Sequence, residues 1–234
     1  MDNWDLRTLS LIGEENLEKL KNSAVAVFGI GGVGSFAVEA LVRSGVGTVY
    51  IYDNDTVSAS NINRQLIATT KTVGELKTSV MARRATEINP QINIIENPVF
   101  ITNETDIDVN KFDFIIDAVD NVTAKLNIIE SAKQKNVPII SVMGTGNKLD
   151  PTRLKVSDIS KTNTCPLARV MRLELKKRGI RGVNVVWSDE LPIKQVGDET
   201  VKENTRPAPS SMTFVPSSAG ILAASVAVRT IVGL

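Results

Sequence analysis

"SAVAVFGIGGVGSFAVEALVRSGVG", residues 23–47, decides the fold. Residues 24–28 form a short apolar run. The chain then turns through glycines and enters a helical pattern that ends near Gly45. Gly29, Gly31 and Gly34 stand at G-x-G-x-x-G spacing, with Gly32 as an extra glycine. Between a strand and a helix this spacing is a phosphate-binding turn. Gly29 permits the tight turn, Gly31 the close approach of a phosphate, and Gly34 the packing of helix on strand. The helix start adds free N–H groups and a partial positive charge.

Working outward, "TVYIYD" (48–53) reads as a second strand and residues 74–90 as a helix stopped before Pro90. Residues 92–97 form a third strand, 111–121 a fourth ending in acids, 123–136 a helix and 137–144 a fifth strand. Strands alternating with helices predict an α/β protein: a Rossmann-like, mostly parallel sheet with helices on both faces. After Gly146 the rhythm changes. Residues 153–160 and 183–190 read as strands flanking a helix at 166–179, a C-terminal strand and helix elaboration. Residues 195–211 are polar and read as a mobile loop. Residues 218–234 are apolar but short for a membrane span and contain Arg229, so they read as a buried or dimer-face helix with no membrane insertion. We therefore expect one domain over residues 1–234. Residues 1–146 form the nucleotide-binding part and 147–234 a substrate-facing and dimer elaboration.

The composition narrows the chemistry. The 234 residues carry 27 Lys and Arg against 26 Asp and Glu, so no global field marks a nucleic-acid protein. One cysteine and no histidine exclude intrachain disulfides, CxxC zinc sites and histidine-based catalysis. The first ten residues lack the basic and apolar regions of a secretory signal, which predicts a cytoplasmic protein.

Asp53 ends the second strand 24 residues after Gly29, where a carboxylate accepts hydrogen bonds from a ribose diol. The segment that follows, "DNDTVSASNINRQL" (53–66), holds acids, amides and one arginine. Arg64 lies in that loop and Lys77 begins the next helix, so both can reach the outer phosphates of a nucleoside triphosphate. Asp120 ends the fourth strand at the same edge and suits Mg²⁺, which takes a carboxylate together with phosphate oxygens. Singly, these could be solvated surface groups. Together they converge on one sheet edge and point to ATP rather than to a dinucleotide.

Residues 29–34, 52–65, 74–90 and 115–121 together resemble the ubiquitin-activating-enzyme-like adenylyltransferases. The resemblance covers roughly residues 6–143. It implies a homodimer that turns ATP and a carboxylate into an acyl-adenylate. By position it gives Asp53 to the ribose, Arg64 and Lys77 to the phosphates and Asp120 to Mg²⁺. Asp55, Asn61, Gln65 and Asn121 join the glycines in lining the nucleotide site. Arg7, in "LRTLSLIG" (6–13), matches an arginine that reaches the partner subunit's site. Arg7, Arg64, Lys77 and Asp120 are the expected catalytic set. The sulfur-carrier activators of this superfamily usually hold a zinc on two CxxC pairs, which Cys165 alone cannot build. Their kinship also raises a sulfur-transfer protein as a partner, which no residue here specifies.

Residues 142–180 and 213–224 resemble the tRNA threonylcarbamoyladenosine dehydratases, extending the likeness over nearly the whole chain. That resemblance implies adenylation of the threonyl carboxylate on a modified adenosine beside the anticodon, followed by attack of the neighbouring carbamoyl group. Intramolecular attack has high effective molarity and needs no enzyme thiol. The alternative is activation of the C-terminus of a small ubiquitin-like sulfur carrier. Within 167–182, Arg169, Arg172, Lys176, Lys177, Arg178 and Arg181 stand against the single acid Glu174. A charge run is usually a solvated face. Given the resemblance, these six are the expected tRNA-binding residues. Cys165, just before Pro166, is expected to be structural.

Overall fold

The protein is described by a computed structural model over residues 4–196 and 209–234. Two short helices, α1 (Leu6–Ile12) and α2 (Glu14–Lys21), precede β1 (Ala24–Phe28). The chain continues through α3 (Gly34–Ser44), β2 (Thr48–Tyr52), α4 (Lys77–Ile88), β3 (Asn93–Asn97), β4 (Phe114–Asp117), α5 (Val122–Gln134) and β5 (Ile139–Val142). It closes with β6 (Leu154–Asp158), α6 (Pro166–Lys177), β7 (Asn184–Ser188) and α7 (Phe214–Val232). The strands form one sheet in the order β3-β2-β1-β4-β5-β7-β6, parallel except for β6, which runs antiparallel to β7. The expected α/β sheet is therefore present, and the last two strands extend it.

Burial explains the apolar runs. Four of the five residues of β1 are fully buried, because helices cover the sheet on both sides. Val25 and Val27 face a core built with α3, α4 and α7, while Ala26 and Phe28 face one built with α5 and α6. The 74–90 helix begins only at Lys77, because residues 58–76 form turns and one short 3₁₀ segment. Its end at Ile88 agrees with the stop set by Pro90. Helix α7 starts at Phe214, four residues before the apolar stretch read from sequence. It is long and apolar enough to span a bilayer by composition, with 44% of that window buried inside the fold. It lies on α3 and on β4, β5 and β7. Gly220 allows the close approach, since a Cβ there would stand 2.2 Å from the Val33 carbonyl oxygen. The polar 195–211 loop falls mostly on residues 197–208, outside the described residues.

Candidate nucleotide site and basic face

Strand register brings the predicted residues to one edge. Phe28 pairs with Asp117, and Asp117 with Ser141, in adjacent parallel strands. Gly31, Asp120 and Gly144 each lie three residues beyond that row, past the carboxyl ends of β1, β4 and β5. Ligands of open α/β sheets bind in this crevice.

The glycine turn is built as its spacing predicts. Gly29 has φ +85°, and its amide donates to the Tyr52 carbonyl at 2.7 Å. A Cβ at Gly34 would fall 1.7 Å from the Gly29 carbonyl oxygen, so only glycine fits there. At Gly32 an added Cβ would press on Arg64 and Pro216 at 3.2–3.3 Å. Gly31 differs: an added Cβ would meet only Gln65 Nε2, at 3.7 Å. Protein packing does not demand glycine at 31, and the open space is the kind a phosphate occupies. Gln65 borders that space with 8% exposure, and its Oε1 is buried without a partner among the described residues. A buried acceptor of this kind is uncommon and fits a hydrogen-bonding ligand.

Asp53 closes the other side. Its Oδ2 accepts the amide of Ile30 at 2.7 Å and its Oδ1 the amide of Asp55 at 2.8 Å. Burial raises its pKa above the ordinary value, opposed by Lys77 and these two amides. Lys77 is itself buried and donates to Asp55 Oδ2 at 2.6 Å, with Asp53 Oδ2 at 3.8 Å. The two ends of the long connection between β2 and α4 meet here: the Lys77 amide donates to the Asp55 carbonyl at 3.0 Å. The cation thus rests on two carboxylates at the rim of the crevice.

Arg64 follows the 3₁₀ segment Ala59–Asn61. Its Nη1 donates to the Ser60 carbonyl at 2.8 Å and to Asn63 Oδ1 at 2.9 Å. The rest of the guanidinium has no partner among the described residues. Asn61 and Asn121 also do structural work. Asn61 forms a capping box with Ser58, and Asn121 caps α5 by accepting the amides of Thr123 and Ala124. Asp120 is exposed, with no hydrogen bond among the described residues. No group of three or more Cys, Asp or Glu among these residues could cage a metal. A lone exposed carboxylate is not a metal cage, and Mg²⁺ needs none where it shares its coordination with phosphates and water.

Two features were not anticipated from sequence. Asp117, Lys125 and Ser141 form a fully buried polar cluster under the edge. Lys148, beyond β5, donates to the Gly144 carbonyl at 2.8 Å, and burial lowers its pKa. The cluster joins α5 to β4 and β5, which no local pattern reveals, and Lys148 is marked by its burial rather than by its near neighbour Gly144.

Arg7 is exposed on α1, a helix without buried residues. Helix α1 packs on α2, and α2 lies against α7. Glu18 of α2 and Asn22 just after it share a groove with Thr230 and Ile231, at the end of α7 far from Pro216 and the glycine turn. Arg7 is thus not brought to its own glycine turn by the packing of α1.

The six cations near α6 divide into two groups. Arg172 donates to the Thr162 carbonyl at 2.9 Å, Lys177 to Glu174 at 2.6 Å, and Arg178 to Glu130 and Glu174 at 2.7 and 2.8 Å. Arg169, Lys176 and Arg181 are exposed and unpaired among the described residues. Cys165 occupies the N-cap position of α6 and is buried in the core, as its structural reading requires.

A parallel sheet with this glycine turn, a buried acid after β2 and cations at the same edge defines a Rossmann-like nucleotide-binding protein. The ThiF family model matches residues 5–234, and the chain belongs to the ThiF family. It is 46% identical over 222 residues to the tRNA threonylcarbamoyladenosine dehydratase of Bacillus subtilis, covering 90% of this chain and 87% of that one. Its fold matches the crystal structures of the Escherichia coli tRNA N6-threonylcarbamoyladenosine dehydratase in complex with AMP (TM-score 0.88) and with ATP (TM-score 0.87). Both are 32% identical, covering 100% of this chain and 96% of theirs. A Saccharomyces cerevisiae adenylyltransferase and sulfurtransferase is 32% identical over only 63% of this chain and 34% of its own length. The comparisons thus favour the dehydratases over the sulfur-carrier activators.

Proposed function

We propose that this chain catalyses the ATP-dependent cyclisation of N6-threonylcarbamoyladenosine in tRNA next to the anticodon. The observation that carries the reading is the near-full-length likeness to tRNA threonylcarbamoyladenosine dehydratases. The whole chain, residues 1–234, serves as one adenylation domain, and residues 147–234 face the tRNA and a second subunit. The enzyme works as a homodimer in the cytoplasm.

In this reading Asp53 accepts hydrogen bonds from the ribose, and Gly31 leaves room for the phosphates. Arg64 and Lys77 neutralise the outer phosphates, while Asp55, Asn61, Gln65 and Asn121 frame the pocket. Asp120 would hold Mg²⁺, which supplies positive charge to the phosphate oxygens. The threonyl carboxylate oxygen bonds to the α-phosphorus of ATP as the bond to the leaving pyrophosphate breaks. The carbamoyl group then attacks the activated carbonyl carbon and gives up a proton. The ring closes as AMP leaves, so the base loses one water overall. Preorganised cations at the developing charge supply the catalysis, and tethering supplies the orientation. Mass spectrometry of tRNA nucleosides tests this: the threonylcarbamoyl nucleoside should lose one water only with both protein and ATP present. Pyrophosphate exchange driven instead by a carrier protein ending in Gly-Gly would favour the sulfur-carrier alternative.

Cys165→Ser should retain most of the activity, because the nucleophile belongs to the substrate. A buried serine costs about 1–3 kcal/mol of stability where its hydroxyl finds no partner. A folded but inactive variant, or a trapped thioester, would refute the intramolecular route.

The unpaired cations should dominate tRNA binding. Replacing Arg169, Lys176 and Arg181 with alanine should weaken binding and lower the slope of log K against log salt by about one for each phosphate no longer neutralised. Replacing Lys177, whose charge already faces Glu174, should change the slope less. Equal slopes in parent and triple variant would remove this face from the tRNA interface.

A further inference from the structure

Beneath the nucleotide edge lies a polar cluster that the proposed chemistry does not use. Lys125 on α5, Asp117 at the end of β4 and Ser141 on β5 are fully buried. Lys125 Nζ donates to Asp117 Oδ2 at 3.0 Å, to Ser141 Oγ at 3.3 Å and to the Val142 carbonyl at 2.7 Å. Ser141 Oγ also donates to Asp117 Oδ2. The three ammonium protons and the serine proton are therefore all engaged inside the sheet.

Such a pair is not needed for stability, since well-packed hydrocarbon of similar volume often serves as well. The cluster also reaches the nucleotide edge. The other oxygen of Asp117, Oδ1, accepts the amide of Val119 at 3.2 Å. Val119 lies in the four-residue connection 118–121, which ends in Asp120 and the α5 cap Asn121. The glycine turn presses on the same connection: a Cβ at Gly29 would come within 2.9 Å of the Ala118 carbonyl oxygen and 3.1 Å of the Val119 nitrogen. One segment thus carries Asp120 and backs the phosphate turn, and its backbone is tied from below to the buried cluster.

We propose that Asp117, Lys125 and Ser141 are positioning residues that pin the 118–121 connection and so set where Asp120 stands relative to the glycine turn. The functional consequence rests on Asp120 facing the phosphates and Mg²⁺, as in the reading above.

The test uses the paired variant Asp117→Val/Lys125→Met, which removes both charges together, with Ser141→Ala as a milder variant that keeps the ion pair. Amide hydrogen exchange over residues 118–121 reads the pin directly, and calorimetric ATP binding with and without Mg²⁺ reads its consequence. The paired variant should still fold, melting below the parent because the Ser141 hydroxyl, the Val142 carbonyl and the Val119 amide each lose a partner. Its exchange at 118–121 should speed up at least about tenfold, and its Mg²⁺-dependent ATP affinity should fall about 10- to 100-fold, as when groups supporting a ligating residue are lost. If the paired variant does not fold, Ser141→Ala should still speed that exchange about fivefold, the scale of one hydrogen bond. Unchanged exchange at 118–121 in a folded variant overturns the pin. Faster exchange with parental Mg²⁺-dependent affinity supports the pin and overturns the role of Asp120, so the two failures are distinguishable.

Discussion

Arg64→Ala and Lys77→Ala should each lower ATP-dependent tRNA dehydration by about a hundred- to thousandfold, the cost of removing one preorganised charge from a transition state. The two losses should differ in kind. The hydrogen bonds of the Arg64 guanidinium stay within its own loop, to the Ser60 carbonyl and Asn63, so Arg64→Ala should melt close to the parent. Lys77 is buried against Asp55 and Asp53. Its removal leaves two acids facing each other, one of them largely buried and already raised in pKa by that burial. Lys77→Ala should therefore also lose about 1–3 kcal/mol of stability, and its ATP affinity should fall along with turnover. Pyrophosphate release and nucleoside mass spectrometry check activity, and thermal melts check the fold. Unchanged activity in either folded variant removes that residue from the phosphate site.

Mixing two dead variants should restore activity. Arg7 is exposed on α1, and α2, on which that helix packs, lies towards the end of α7 remote from the glycine turn. A two-fold dimer can deliver an arginine across its axis that a single subunit does not bring to its own edge. Arg7→Ala and Asp120→Ala dimers should each be inactive. In a mixed dimer one site has both residues intact and the other lacks both. Random exchange makes about half the dimers mixed, so about a quarter of the parental activity should return for independent sites. Activity that stays absent after subunit exchange has been verified means that Arg7 acts within its own subunit or not at all.

Much of the molecule was legible in the chain itself. The strand, glycine turn and helix at 23–47 follow from apolar runs, glycine spacing and helical periodicity, all local properties. So do the positions of β2 to β5 and the stop of α4 before Pro90. The placement of Asp53 and Asp120 just past the carboxyl ends of β2 and β4 was legible too, because parallel strands connected by helices put those ends on one edge.

The rest depended on which distant residues meet. Nothing local marks Lys125 as buried, since its neighbours on α5 read as an ordinary helix with polar positions. Only the pairing of β4 with β5 puts Asp117 beside Ser141 and makes room for an ammonium between them. The run of cations near α6 reads as one uniform charge in sequence. In space Glu130 and Glu174 take up Arg178, Glu174 also takes Lys177, and Thr162 takes Arg172, leaving Arg169, Lys176 and Arg181 open. Likewise, α7 is long and apolar enough by composition to cross a membrane, and only the fold shows it docked tightly on α3 at Gly220. Periodicity and turn chemistry act over a few residues and so belong to the sequence. Burial, ion pairing and access to solvent act through distances of a few ångströms between segments far apart in the chain, and these the tertiary structure alone decides.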